Sequence, residues 1–294
     1  MNNQQGYLQF ILQQELSINF KKFIYRFIAM TTPCEVIIYS NNKIKSDEIA
    51  NKILIEVKRL ENKYNYFNEN SIISKINKRI EIELDNETKS ILQRAKLYYK
   101  STNGIFDITI ATIKDLYRNS QNIENLNKEK ENLLKFIGVE HFKINKNKIK
   151  FDNNFTKIDL GGFVKEYAVD RTVNILKKHK IKSALINYGG DIYALGKKPN
   201  GDKFKIGIKD PKNKNTNKYL VEIENEALTT SASYERSTKI ENKEYSHIIN
   251  KNENDNNIIS ASVISKTCVE SGVFSTSLMI DSSINTNLKK YLIT

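Results

Sequence analysis

The stretch KIDLGGFVKEYAVDRTVNIL, residues 157–176, joins a short apolar run to a helical pattern through two adjacent glycines. Gly161 and Gly162 give up side chains where a helix is about to start, and Lys165 and Glu166 follow within its first turn. Glycine at such a junction lets backbone approach a ligand closely, and the helix N-terminus favours an anion there. The same residues also read as a tight strand-to-helix turn followed by a solvated lysine.

Outward from this stretch, the chain alternates strand and helix signals. CEVIIYS (34–40) is a β-like run rich in β-branched residues. From Ser46 the pattern turns helical, with Ile49, Ile53, Val57, Leu60 and Tyr64 on one face and Ser46 or Asp47 placed to cap it. A second helix is predicted over 86–101, with Ile91, Leu92, Ala95 and Tyr98 inward and Asn103-Gly104 ending it. FKINKNKIKF (142–151) reads as a hairpin; 183–190, 204–209, 219–225 and 258–265 read as strands. A last helix over 266–280 carries Val269, Val273 and Leu278 inward. Residues 119–130 and 250–257 read as polar loops. This order, without strict βαβ repetition, implies an α+β or mixed α/β protein with no evident linker.

The 294 residues can bury a substantial core. Lys and Arg outnumber Asp and Glu 47 to 34, a net charge of +13. The lysines are spread along the whole chain and arginines are few, so the excess suits anionic ligands in general and indicates no nucleic-acid surface. Cys34 and Cys268 stand far apart without a metal or redox pattern. No run reaches the ~18 apolar residues of a membrane span. The first residues lack a signal-peptide pattern, and Leu8, Ile11, Leu12 and Leu16 suggest a short amphipathic helix. A cytoplasmic location is the resulting expectation, with export left open.

Other segments carry chemistry-bearing side chains. LINYGGDIYALG (185–196) ends a strand in Gly189-Gly190-Asp191, where Asp191 suits a ribose hydroxyl or an ordinary turn. TNGIFDIT (102–109) places Gly104, Phe106 and Asp107 just past a helix. LTTSASYER (228–236) reads as a hydroxyl-rich turn whose Thr230 and Ser231 can bond a phosphate or a flavin edge. His247, in YSHIIN (245–250), enters an apolar run, unlike His141 and His179 in lysine-rich stretches; it suits proton transfer or a structural place. In CVESGVFSTSLMI (268–280), Gly272 and Thr276 are one turn apart on the same helix face. A carboxylate with that threonine would suit Mg²⁺, which takes hard oxygen donors; the carboxylate is missing here.

Together and in this order, these segments resemble the FAD:protein FMN transferases, the ApbE-like flavin transferases. MTTPCEV (30–36) and YFNENSIISKIN (66–77), with Ser71 and Asn77, extend the likeness to nearly the whole chain. The resemblance implies a two-lobed, T-fold-related α+β architecture of mixed and antiparallel sheets flanked by helices. It divides the chain into an N-terminal extension (1–28) and a single flavin transferase domain (29–294). It also implies FAD as substrate in a groove between the lobes, Mg²⁺ on the pyrophosphate, and transfer of FMN to a Thr or Ser hydroxyl of an acceptor flavoprotein with release of AMP. Lys165 and His247 match catalytic positions. Ser71, Asn77, Gly104, Phe106, Asp107, Gly161, Gly189, Gly190, Asp191, Thr230 and Ser231 match positions near the flavin nucleotide. Gly162, through its carbonyl, and Thr276 match metal positions. Asp107 and Asp170 match recurrent acids without a settled role.

The departures from the family pattern are specific. Gly272 replaces the family's metal-binding Asp, and Glu166 replaces a Gly. Ala232 ends the Thr-Ser turn, and Asn250-Lys251 replaces an acid-Pro pair. Glu166, Glu270 and Asp281 are the candidates to restore the missing oxygen, Glu166 foremost. The alternative to a transferase is a non-catalytic flavin-binding relative.

Overall fold

The computed structural model describes residues 20–120, 122–233, 237–241, 243–246 and 257–294. The protein is α+β and falls into two compact units, each assembled from separate chain segments. Of the described residues, the first takes those within 20–59, 165–229 and 264–271; the second takes those within 60–164, 230–263 and 272–294. The predicted amphipathic helix around Leu8–Leu16 lies outside the described residues.

The first unit is built on antiparallel pairing. β1 (Lys21–Ala29) and β2 (Thr32–Ser40) form a hairpin whose connecting Met30 and Thr31 both have positive φ. β1 lies largely within residues 1–28 and pairs along its whole length with β2. Next come β5 (Ala184–Tyr188), β6 (Asp191–Leu195) and the first part of β9 (Glu226–Ala232), in the order β1-β2-β5-β6-β9. β7 (Phe204–Asp210) and β8 (Asn213–Ile223) form a separate hairpin. β8 begins at Asn213, ahead of the strand expected over 219–225, in a stretch of lysines and asparagines. Backbone pairing with β7 supplies what the side chains do not.

The predicted helices form close to their expected bounds. α1 (Lys43–Tyr64) buries Ile49, Ile53, Val57, Leu60 and Tyr64. It starts earlier than its periodicity suggested, because Asn42 Oδ1 accepts the Lys45 N–H and so caps it in place of Ser46 or Asp47. α6 (Val164–Lys178) is tied to α1 by Arg171 on Glu56 at 2.9 Å, and to β5 by Thr172 and Tyr188 hydroxyls 2.7 Å apart.

The second unit holds α2 (Ile72–Asn77), α3 (Asn86–Ser101), α4 (Ala111–Asn119), α5 (Ile123–Leu134) and the hairpin β3 (Phe142–Asn145)–β4 (Lys148–Phe151). α5 occupies most of the stretch expected to be loop. Asn122 caps it by accepting the Glu124 and Asn125 N–H groups, and only Leu126 and the Lys130 stem are buried. A helix with so narrow a buried stripe leaves little apolar period to read. The C-terminal part of β9, β12 (Ser260–Ser265) and β13 (Lys289–Ile293) follow one another. Against them α7 (Cys268–Ile280) contributes Leu278 and Met279 to a cluster with Ile258, Ala261, Val263 and Ile284. The segment expected to be a hydroxyl-rich turn is therefore strand up to Ala232. Its hydroxyls read as turn chemistry because their partners lie far along the chain. β10 (Ser237–Ile240) and β11 (Lys243–Ser246) form a short hairpin.

Candidate functional site

In the second unit, the approach to Gly161 and Gly162 is fixed by a set of local bonds. Asn77 grips the Ile158 peptide with both ends of its amide: Oδ1 accepts the Ile158 N–H at 2.8 Å and Nδ2 donates to its carbonyl at 2.9 Å. Asp159 then accepts the Gly161 N–H at 2.9 Å and also holds Lys114. Phe163 and Val164 N–H groups both return to the Leu160 carbonyl at 2.9 Å, winding the chain into α6.

Gly161 and Gly162 are exposed, and neither is in the left-handed region. A Cβ at Gly162 would meet nothing nearer than Phe106 Cε2 at 3.8 Å, and one at Gly161 only Asp159 Oδ1 at 3.3 Å. The fold itself does not demand glycine at Gly162. The other glycine pair is different. Gly189 and Gly190 have φ of +62° and +98°, the combination a two-residue turn between β5 and β6 requires, and Gly190 N–H donates to Asn187 Oδ1 at 2.8 Å. That turn sets Asp191 at the head of β6.

Gly104 (φ +79°) closes α3, its N–H donating to the Tyr99 carbonyl at 2.7 Å. Phe106 is buried, with its ring centroid 6.5 Å from that of Phe163. Asp107 is also buried and caps a 3-10 turn (Ile108–Ile110), accepting from the Thr109 N–H and hydroxyl at 2.8 and 2.6 Å. Ser71 caps α2 by accepting the Ser74 N–H at 3.0 Å. Ser71, Asn77 and Asp107 thus all hold backbone in place.

The third cluster of the second unit is made of hydroxyls. Ser231 lies 2.9 Å from Ser275 Oγ and 3.1 Å from Thr276 Oγ1, while Thr230 lies 2.7 Å from Ser262 Oγ. Ser275 donates to the Gly272 carbonyl at 3.0 Å. Ser262 and Ser275 were not singled out in the sequence; only the pairing of β9, β12 and α7 shows them, although alternate serines in both segments were visible. Asp159 likewise lies in its motif with no local sign of its bonds to Gly161 and Lys114.

The charged cluster belongs to the first unit. Lys165 forms an ion pair with Asp191, and its ammonium lies 3.6 Å from Glu166 Oε1. Asp191 and Glu166 are both buried, and Glu166 Oε2 has no hydrogen-bond partner. Asp170, one turn further on, accepts the Cys268 and Val269 N–H groups at 2.7 and 3.2 Å, anchoring the start of α7. Cys268 is fully buried, and burial, reinforced by Asp170 and Glu166, pushes its thiol well above the usual range. His247, the expected proton-transfer group, lies outside the described residues.

The ApbE family model matches residues 30–286. The chain belongs to the ApbE family. The ApbE protein of Thermotoga maritima superposes with a TM-score of 0.80 at 28% identity, over 88% of this chain and 87% of its own. The flavin transferase ApbE of Vibrio cholerae shares the fold, with a TM-score of 0.77 at 19% identity over 93% of this chain and 97% of that one. The FAD:protein FMN transferase of Buchnera aphidicola subsp. Schizaphis graminum is 28% identical over 227 residues, 72% of this chain; the match spans 66% of that relative's length.

The positions expected to hold a metal offer few free side-chain donors. Gly272 offers no side chain. Asp281 spends its carboxylate on the N–H and hydroxyl of Ser283 at 2.9 and 2.6 Å, which lowers its pKa. Glu270 is two residues from Gly272, so on the helix it points away from that face. Among the described residues no three His, Cys, Asp or Glu side chains gather as a metal site, and no helix is long and apolar enough to cross a membrane.

Proposed function

We propose that the chain is an FAD:protein FMN transferase that moves FMN from FAD to a Thr or Ser hydroxyl of an acceptor flavoprotein. The observation that carries this reading is the exposed Gly161–Gly162 pair, whose second glycine the backbone geometry does not require, leading within one turn to Lys165. A phosphate can reach peptide N–H groups there only if no side chain intervenes. Membership of the ApbE family and the naming of the Buchnera relative support it.

In the reaction the acceptor hydroxyl oxygen forms a new bond to the FMN phosphorus, the bond to AMP breaks, and the hydroxyl proton passes to a base. Lys165 offsets charge growing on the phosphates, with Asp191 holding its ammonium in position. Thr230 and Ser231 orient the flavin nucleotide through hydroxyls that Ser262 and Ser275 keep in place. His247 is the base. Bound Mg²⁺ would supply further neutralisation of the pyrophosphate. The Gly162 carbonyl and the Thr276 hydroxyl, with one carboxylate, would be the oxygen donors to hold it. The orphaned oxygen of Glu166 fits that requirement.

Gly272 favours a second reading, a flavin-binding relative without transferase activity. Incubation with FAD, Mg²⁺ and an acceptor domain bearing a target threonine separates the two. AMP release and an FMN-sized mass gain on the acceptor are expected; tight FAD binding without transfer would overturn the enzyme and leave the binder.

A further inference from the structure

We infer that Glu166 is the carboxylate through which this chain holds a divalent cation, an assignment that rests on the transferase reading and deepens it. Lys165, Glu166 and Asp191 bring two carboxylates and one ammonium together, so the group carries an excess negative charge. The ammonium is committed to Asp191 and stands 3.6 Å from Glu166 Oε1, beyond hydrogen-bond distance. Glu166 is only 7% exposed, and its Oε2 has no hydrogen-bond partner. A buried carboxylate whose ion-pair partner stands 3.6 Å away and is shared with a second carboxylate is costly, and proteins offset it with a closer partner or a metal.

Position on the fold narrows the choice. Glu166 sits in the first turn of α6, where the helix dipole favours its negative charge. It directly follows Lys165, the residue that addresses phosphate in the proposed reaction. Because Asp191 already neutralises Lys165, the neighbouring ammonium opposes a cation less than a free lysine would. The donor is a hard oxygen, which selects Mg²⁺ or Mn²⁺ over softer metals. α7, in contrast, carries a threonine but no acid one turn before it.

Mn²⁺ serves as the probe, measured by the loss of its free electron paramagnetic resonance signal on titrating the full chain, with FAD present and absent. Glu166→Gln keeps the shape and removes the charge. It is expected to weaken Mn²⁺ binding at least ~10-fold, the scale seen when metal-site groups are removed. Two thermal readouts go with it: the metal-free protein melts at the same temperature or higher, and the Mn²⁺-induced rise in melting temperature disappears. Glu166→Asp retains part of the affinity. Unchanged Mn²⁺ affinity in Glu166→Gln, or no Mn²⁺ binding by the wild type, overturns the assignment. A metal-free variant that melts markedly lower also overturns it, since Glu166 would then be held by the protein alone. FAD affinity in EDTA, followed in the same samples, keeps the two readings apart. If Mn²⁺ binds through Glu166 while AMP is never released, the transferase reading falls and the ligand assignment stands.

Discussion

A Cβ added at Gly189 would lie 2.1 Å from Thr32 Cγ2, in a backbone with positive φ; one added at Gly162 would make only an ordinary contact, 3.8 Å from Phe106 Cε2. The two pairs look alike in sequence, yet one serves the fold and the other is left to serve a ligand. Gly189→Ala is therefore expected to lose about 1–3 kcal/mol in urea denaturation, the range for a residue forced into a sparsely populated conformation. Gly162→Ala should stay within about 0.5 kcal/mol of wild type, while FAD affinity, followed by flavin fluorescence, drops about tenfold. Equal destabilisation by both substitutions would remove the case for a ligand at the first pair. The sequence alone could not rank them, since the sign of φ is set by the element that each pair leads into: an antiparallel return strand in one case, a helix in the other.

At the scale of elements, the start of α7 shows how a side chain without an assigned role acquires one. Asp170 matched a recurrent acid, and the structure places its carboxylate on two N–H groups that no earlier turn can satisfy. Asp170→Ala should cost about 1–2 kcal/mol, as for other helix N-terminal carboxylates, and Asp170→Asn, which still offers one acceptor, should cost less. A thermal melt showing no loss in either variant would mean that water caps α7 equally well. α1, α3 and α7 were legible because their buried faces repeat with the helical period. α5 was not, since only Leu126 and Lys130 are buried on it. β9 was mistaken for a turn because Thr and Ser favour turns when alone and strands when a neighbour shares their hydroxyls. Of the candidate site, single residues were legible while their pairings were not: nothing local says that Lys165 meets Asp191 or that Ser231 meets Thr276.

For the whole molecule, the excess of 13 positive charges has a kinetic meaning. Distributed lysines raise the local concentration of a multiply charged anion without fixing where it binds, and salt screens that attraction. The α+β class followed from the order of strand and helix signals, but the division into units did not. Each unit gathers segments that are remote in sequence, and strand pairing decides which ones meet. That interleaving bears on synthesis. The first unit needs residues 264–271, and the second needs residues up to the 290s, so neither is whole until almost all of the chain has left the ribosome. Folding that proceeds domain by domain during translation has no early unit to complete here. Nascent chains arrested with residue 255 just outside the exit tunnel should be cleaved rapidly by protease, and released chains should resist it. Resistance at the earlier point would show that a folding unit forms without its last segment. Until the final helix emerges, the cell holds an unfinished protein whose β-strands are already exposed and waiting for partners.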